Sequence, residues 1–395
     1  MRKILLFILI TAFLTCLTGC STQQVNLSEE YAIGDTGNNG FMTKDGYYFT
    51  KDSENEEGIL LYYFDYDSGK TVPVCDKAEC DHWAVNPASG KKVTCNAQIC
   101  TYTDFVVYGN KIYYVDHEER KLCLRRRNTD GNQDEKVTVL DASELGGRMW
   151  FYGNHAFVMA STDVSQSFDP ETRESEKSSM RLFAINLQNG KTEILAECSL
   201  TAATYYAFCI YQMENGQVYF RNLEEDKWYV YDTQNESLKE QTEISDHVLV
   251  GKCGEYADIY EMYAYETFDD ASGCRSIMQL NWTTGEEKII YKGKPGNQTG
   301  YMIFGMDCIC ITELNLNSSK IENMILYDMK TGELKQISPK FYEQEGMNLP
   351  VNGDTEGMIY PFLIQKEDSQ EMLIEYRYST WDSMIKGENI YQVIR

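Results

Sequence analysis

Apolar residues in this chain come in short runs closed by polar turns, and the clearest example is MILYDMKTGELKQI at Met324–Ile337. Met324 to Tyr327 fits a strand covered on both faces. Asp328 opens a turn, Gly332 supplies the positive φ of a short hairpin, and Glu333–Ile337 mixes charge with apolar residues as an outer strand does. The phrase recurs at Leu61–Val74, Leu182–Leu195 and Ile277–Ile290, and in degraded form at Trp228–Glu240. Before it stands a second phrase, a turn and then an aromatic strand, as at Gly46–Phe49, Gly109–Val115, Gly153–Met159, Gly216–Phe220, Tyr256–Tyr260, Gly305–Ile311 and Gly357–Tyr360.

Turn glycines fall at Gly69, Gly131, Gly190, Gly285 and Gly332, with Glu236 in one place, at intervals of 62, 59, 46, 49 and 47 residues. Short strands repeated at this period predict an all-β propeller, because one four-stranded sheet cannot bury both faces alone and must stack on its neighbours until the last meets the first. Residues 41–395 divided by seven give about 51 residues per blade, so seven blades are expected, with six or eight as alternatives. Charges such as Lys191, Glu193, Glu286, Glu287 and Lys335 would blunt the exposed outer edges. The two long intervals mark insertions: a cysteine-rich one at about 70–105 and a polar one at Asp163–Lys177.

Met1–Cys20 follows a different pattern. Arg2 and Lys3 precede the apolar run Ile4–Phe13, which is too short for a membrane span of about 20 residues and is expected as a secretory signal over residues 1–19. Its ending, Leu17-Thr18-Gly19-Cys20, resembles the lipobox of bacterial lipoproteins, which implies lipid on Cys20 and a soluble, extracytoplasmic remainder anchored to the bacterial cell membrane. Residues 20–40 are polar and glycine-rich toward their end, and read as a tether that contributes one strand to close the ring.

Composition agrees with strands: 43% of residues are hydrophobic, with 29 Tyr, 16 Phe and only 7 Pro. The net charge is −25. Without Arg2 and Lys3, 34 basic and 61 acidic groups remain, a net of −27. That balance argues against nucleic acid, whose phosphates demand concentrated positive charge, and against long-range attraction to anionic lipid.

The strongest candidate for chemistry is Cys75-x4-Cys80-x-His82, followed by Cys95 and Cys100. The three thiolates of Cys75, Cys80 and Cys95 with the imidazole of His82 suit a structural zinc; a disulfide staple suits an exported chain; and 13 cysteines, several set singly in apolar strands (Cys123, Cys209, Cys308, Cys310), suit reduced thiols. All three readings stay open. Asp65-Tyr66-Asp67-Ser68-Gly69 looks like the start of a calcium loop, but its copies keep only the first position, so turn chemistry explains it. His117, His155 and His247 sit at strand ends or turns and read as surface or satisfied residues, and Arg125-Arg126-Arg127 as a solvated edge. Trp83, Trp150, Trp228, Trp282 and Trp381 suit blade packing first and sugar stacking second. No Gly-x-Ser-x-Gly elbow or His-Glu-x-x-His motif occurs.

The lipobox, the LYYFD-x-x-x-G type of blade and the phrase Val74-Cys75-Asp76-Lys77-Ala78-Glu79-Cys80-Asp81-His82 together resemble the TolB-like β-propeller lipoproteins of anaerobic Firmicutes, a domain of unknown function. The resemblance implies an exported propeller and supplies no activity. A binding or scaffolding role toward a peptide, glycan or envelope protein is therefore expected. The alternative is a propeller carbohydrate hydrolase or lyase with paired carboxylates in the central funnel.

Overall fold

The computed structural model describes residues 31–34 and 40–394 except 87–88, 100–104, 163–178, 200–206, 223, 226, 242–258, 265–273, 281–286, 295–296, 305–307, 316, 319, 330, 354–355 and 366–371. The signal segment, Cys20, Cys100, the loop at Asp163–Lys177, Gly285, His247 and Trp282 lie outside the described residues.

The chain folds as a β-propeller. Among the described residues the strands form seven antiparallel sheets in chain order, and six are simple meanders of consecutive strands apart from one short added strand. We number them by position: sheet 1 runs over 40–73, sheet 2 over 105–139, sheet 3 over 144–199, sheet 4 over 208–241, sheet 5 over 259–292, sheet 6 over 297–336 and sheet 7 over 352–394. The hairpin phrase builds the outer half of sheets 1, 3, 4 and 6 as its residues dictate. In sheet 6, strand Ile321–Asp328 turns into Leu334–Gln336, with Gly332 N–H donating to Asp328 O at 2.8 Å and Thr331 N–H to Asp328 Oδ1 at 3.0 Å. Asp65 plays the same part in sheet 1, accepting from Ser68 N–H at 2.7 Å, which holds its carboxyl below the usual range. It is a turn residue, as its copies predict.

Alternation along each strand shares residues between two interfaces. Ile112 and Tyr114 pack toward sheet 1, while Tyr113 and Val115 pack toward sheet 3. Ile309 and Ile311 face sheet 5, and Cys308 and Cys310 face sheet 7, so these two cysteines are core side chains of one face. Trp150, Trp228 and Trp381 are buried, which fits packing, whereas Trp83 is 52% exposed. Two short helices, Pro339–Tyr342 and Trp381–Lys386, put Phe341, Trp381 and Met384 into the core between sheets 6 and 7.

The tether behaves differently from expectation. Strand Tyr31–Gly34 does not close the ring; it pairs antiparallel with the first strand of sheet 3, Tyr31 opposite Tyr152 and Gly34 opposite Met149. It also lies beside the first strand of sheet 2, Phe105–Tyr108. Ala32 joins the core between sheets 2 and 3, and Tyr31 and Ile33 pack on the core between sheets 3 and 4. A Cβ on Gly34 would lie 2.3 Å from Val106 Cγ2, so only glycine lets the strand come this close to sheet 2.

Sheets 7 and 1 meet through side chains. Phe64 packs with Ile359, Tyr378 and Ile394, and the Tyr66 and Tyr378 rings stack with centroids 4.0 Å apart and planes 6° apart. Gln392 Nε2 donates to Tyr66 O at 2.8 Å. Among the described residues, no strand from one end of the chain enters the sheet at the other end.

Candidate metal centre

The insertion leaves sheet 1 after its outer strand Lys70–Pro73 and returns as the short strand Gln98–Ile99, which pairs with the first part of Ile59–Asp65. Hydrogen bonds fix its path. The Gln98 amide holds both backbone groups of Val85, donating to O at 2.7 Å and accepting from N–H at 2.9 Å. Ala84 N–H donates to Ser53 Oγ at 3.1 Å, and Asn55 Nδ2 to Ala84 O at 2.7 Å. Beneath the loop lies only a small core, Leu60, Ala84, Cys95 and Ala97.

Over that core, one donor atom from each of Cys75, Cys80, His82 and Cys95 lies within 4.8 Å of every other. Cys95 Sγ is 3.8 Å from His82 Nδ1, and His82 N–H points at Cys80 Sγ at 3.4 Å. His82 adopts φ +55°, a left-handed conformation that lets the chain reverse directly after Cys80. Cys95 is buried and the other three are half-buried. Burial works against ionisation of Cys75, but N–H groups of Lys77 and Asn96 and the neighbouring thiols bring its thiol below the ordinary value. Burial pushes Cys95 up to about 12. Among the described residues Cys75, Cys80, Cys95, Cys123, Cys198, Cys308 and Cys310 are all free of disulfides. Cys75, Cys80, His82 and Cys95 are the four residues expected from the sequence as a metal set, and the fold brings them together.

The centre is locked to sheet 2 by Arg127, and here the solvated-edge expectation for Arg125–Arg127 fails. Arg127 is only 3% exposed. Its Nη1 donates to Asn96 O at 2.5 Å and to Gln98 O at 3.0 Å, and its Nη2 to Tyr114 OH at 2.6 Å. Strand alternation is the reason, since Arg127 shares the face of Cys123 and Arg125 that looks toward sheet 1, and the insertion covers it. Arg125 and Arg126 are partly buried and pair with Asp134 and Glu135. Asn96 Nδ2 reaches Asn132 Oδ1 at 2.7 Å, and Asp76 accepts from both asparagines. A Cβ on Gly131 would stand 2.3 Å from Val74 O, so the sheet 2 hairpin turn presses directly on the chain entering the centre.

A second polar cluster also departs from expectation. His155 is 4% exposed, packed among Phe157, Tyr231 and Glu236 between sheets 3 and 4, so it is a core histidine and not a surface one. Burial lowers its pKa, opposed by Glu236 at 3.8 Å. Glu236, standing where the other hairpins carry glycine, takes φ +45° and reaches back to sheet 3, accepting from Lys191 Nζ at 2.5 Å and Asn186 Nδ2 at 3.1 Å. The missing turn glycine is thus replaced by a side chain that bridges two sheets. His117 is exposed, as expected, its ring 3.2 Å from Ser143 O.

No protein family and no curated protein sequence matches this chain. Solved structures do. The acylaminoacyl peptidase of Pyrococcus horikoshii matches with a TM-score of 0.50 and 12% identity over 92% of this chain and 52% of that one, so this chain spans about half the length of that enzyme. The β-propeller domain of the Trilobed protease from Pyrococcus furiosus gives a TM-score of 0.46 and 10% identity over 89% and 93% of the two chains. TolB from Acinetobacter baumannii gives 0.34 and 11% over 90% and 78%. At these identities the likeness is one of fold alone.

Proposed function

We propose that this chain is a lipid-anchored, extracytoplasmic propeller, its seven sheets the blades, that works as a binding or scaffolding module for a peptide, glycan or envelope-protein partner. The observation that supports this most is the course of Tyr31–Gly34 along the first strand of sheet 3. Ten residues lie between Cys20 and Tyr31, a reach of at most about 40 Å when extended. A lipid on Cys20 would therefore hold the ring close to the membrane, with the loops at the rim left to meet a partner.

Of the first strands of the sheets, Gly40–Thr43, Phe105–Tyr108, Asn297–Phe304 and Asn352–Gly353 carry no Asp or Glu, whereas Glu144–Tyr152, Phe208–Glu214 and Ile259–Ala264 carry one Glu each. A glycosidic mechanism needs two carboxylates on facing positions, and Glu144, Glu214 and Glu261 are where that alternative to the binding reading would be sought.

The test has two arms. Fatty-acid labelling in a bacterial host should mark the wild-type chain and leave Cys20→Ala unlabelled. The soluble form, residues 21–395, should retain members of a defined glycan and peptide array without cleaving them. An unlabelled wild-type chain would refute the anchor, and turnover of an oligosaccharide would replace the binding role with the catalytic one.

A further inference from the structure

We propose that Cys75, Cys80, His82 and Cys95 bind one zinc ion, which closes the insertion onto sheets 1 and 2. Donor type comes first. Thiolates with one imidazole are soft and borderline ligands that select zinc over calcium or magnesium, and four protein ligands close the coordination sphere, as in structural sites.

Geometry comes second. Zinc–sulfur bonds of about 2.3 Å give sulfur–sulfur edges of about 3.8 Å in a tetrahedron. The four donor atoms here all lie within 4.8 Å of one another, and the Cys95 Sγ to His82 Nδ1 separation is 3.8 Å. A contraction of at most about 1 Å brings them onto one ion. A disulfide would join two of the sulfurs at about 2.05 Å and leave the third thiol and the imidazole converging on nothing. None of the three cysteines is bridged.

Need is the third argument. Among the described residues the loop covers a core of Leu60, Ala84, Cys95 and Ala97 with the partly buried Tyr62, Cys75 and Cys80 against it, little apolar surface to hold about 25 residues in one conformation. Yet its backbone follows a fixed path, and Arg127 donates to two of its carbonyls. A metal supplies what the small core lacks. Binding deprotonates the three thiols, so Zn²⁺ plus three Cys–SH and one neutral His gives the tetrahedral site and three protons, and affinity falls as pH falls.

The experiment uses the soluble chain, residues 21–395, purified anaerobically. Metal analysis should give one zinc per chain, and zinc-edge X-ray absorption a shell of three sulfurs and one nitrogen. Thiol titration in denaturant should find no bridge at Cys75, Cys80 or Cys95. Cys75→Ser should lose the zinc. Should that variant fail to fold, Co²⁺ exchanged into the wild-type chain still reports the site through the visible absorption of a tetrahedral thiolate complex. A disulfide among these cysteines, a metal-free chain that ignores added Zn²⁺ and Co²⁺, or zinc retained in folded Cys75→Ser would each overturn the proposal.

Discussion

Sheet 1 is joined to its two neighbours in unlike ways. Toward sheet 7 the joint is apolar and aromatic: Phe64, Ile359, Tyr378 and Ile394, with the Tyr66–Tyr378 stack and one hydrogen bond from Gln392. Toward sheet 2 an apolar layer of Tyr48, Leu61, Phe105, Ile112 and Tyr114 is overlaid by a polar one, in which Arg127, Asn96, Asn132 and Asp76 fasten the insertion and the four metal-binding candidates gather. The first joint needs only area, because two flat sheets bury each other. The second must also hold a loop with almost no core of its own, and directional bonds do that work.

The contrast can be broken at either joint. Arg127→Met should cost about 3 kcal/mol in denaturant unfolding, since it leaves the Asn96 and Gln98 carbonyls and Tyr114 OH without their buried donor. Arg127→Lys should recover only part of this, because one ammonium cannot fork to two carbonyls and a phenol. An effect below about 0.5 kcal/mol would show that packing alone holds this joint as well. At the other joint, Tyr378→Ala should cost about 2.5 kcal/mol by lost burial and stacking. It should leave zinc content unchanged, and loss of metal in that variant would show that the joints are not independent.

The smallest effect belongs to His155, between sheets 3 and 4. Its folded pKa lies below the unfolded value because burial disfavours the imidazolium. The unfolded chain therefore binds the proton more readily. Stability from this group is complete above the unfolded value of about 6.5 and is lost as pH falls through it. His155→Phe, which keeps the ring contacts with Phe157 and Tyr231, should flatten the fall in stability between about pH 7.5 and 5 relative to wild type. Equal slopes in the two proteins would exclude His155 as a contributor.

Much of the ring could be read from local chemistry. An Asp or Asn at the turn, a glycine at positive φ and alternating apolar strands place Gly69, Gly131, Gly190 and Gly332 where the hairpins turn, at φ of 65°, 85°, 71° and 72°. What escaped was nonlocal. Arg127 and His155 look polar and near strand ends in the sequence, and only a covering loop or a neighbouring sheet buries them. Alternation with Cys123 carried a faint signal for Arg127; His155 had none beyond the apolar run that follows it. The partner of Tyr31–Gly34 lies over a hundred residues away, and no propensity selects it. Cys75, Cys80, His82 and Cys95 were legible as a set from residue type and spacing, and the path of the loop brings their donor atoms within 4.8 Å of one another.

The most direct test of the stapled joint is hydrogen exchange on the soluble chain with and without a zinc chelator. Chelation should strip protection from residues 74–99 and from the carbonyl-linked edge of sheet 2, while the strands at the joint of sheets 7 and 1 keep theirs. Unchanged protection at 74–99 after the metal is gone, or an equal loss all round the ring, would contradict the account.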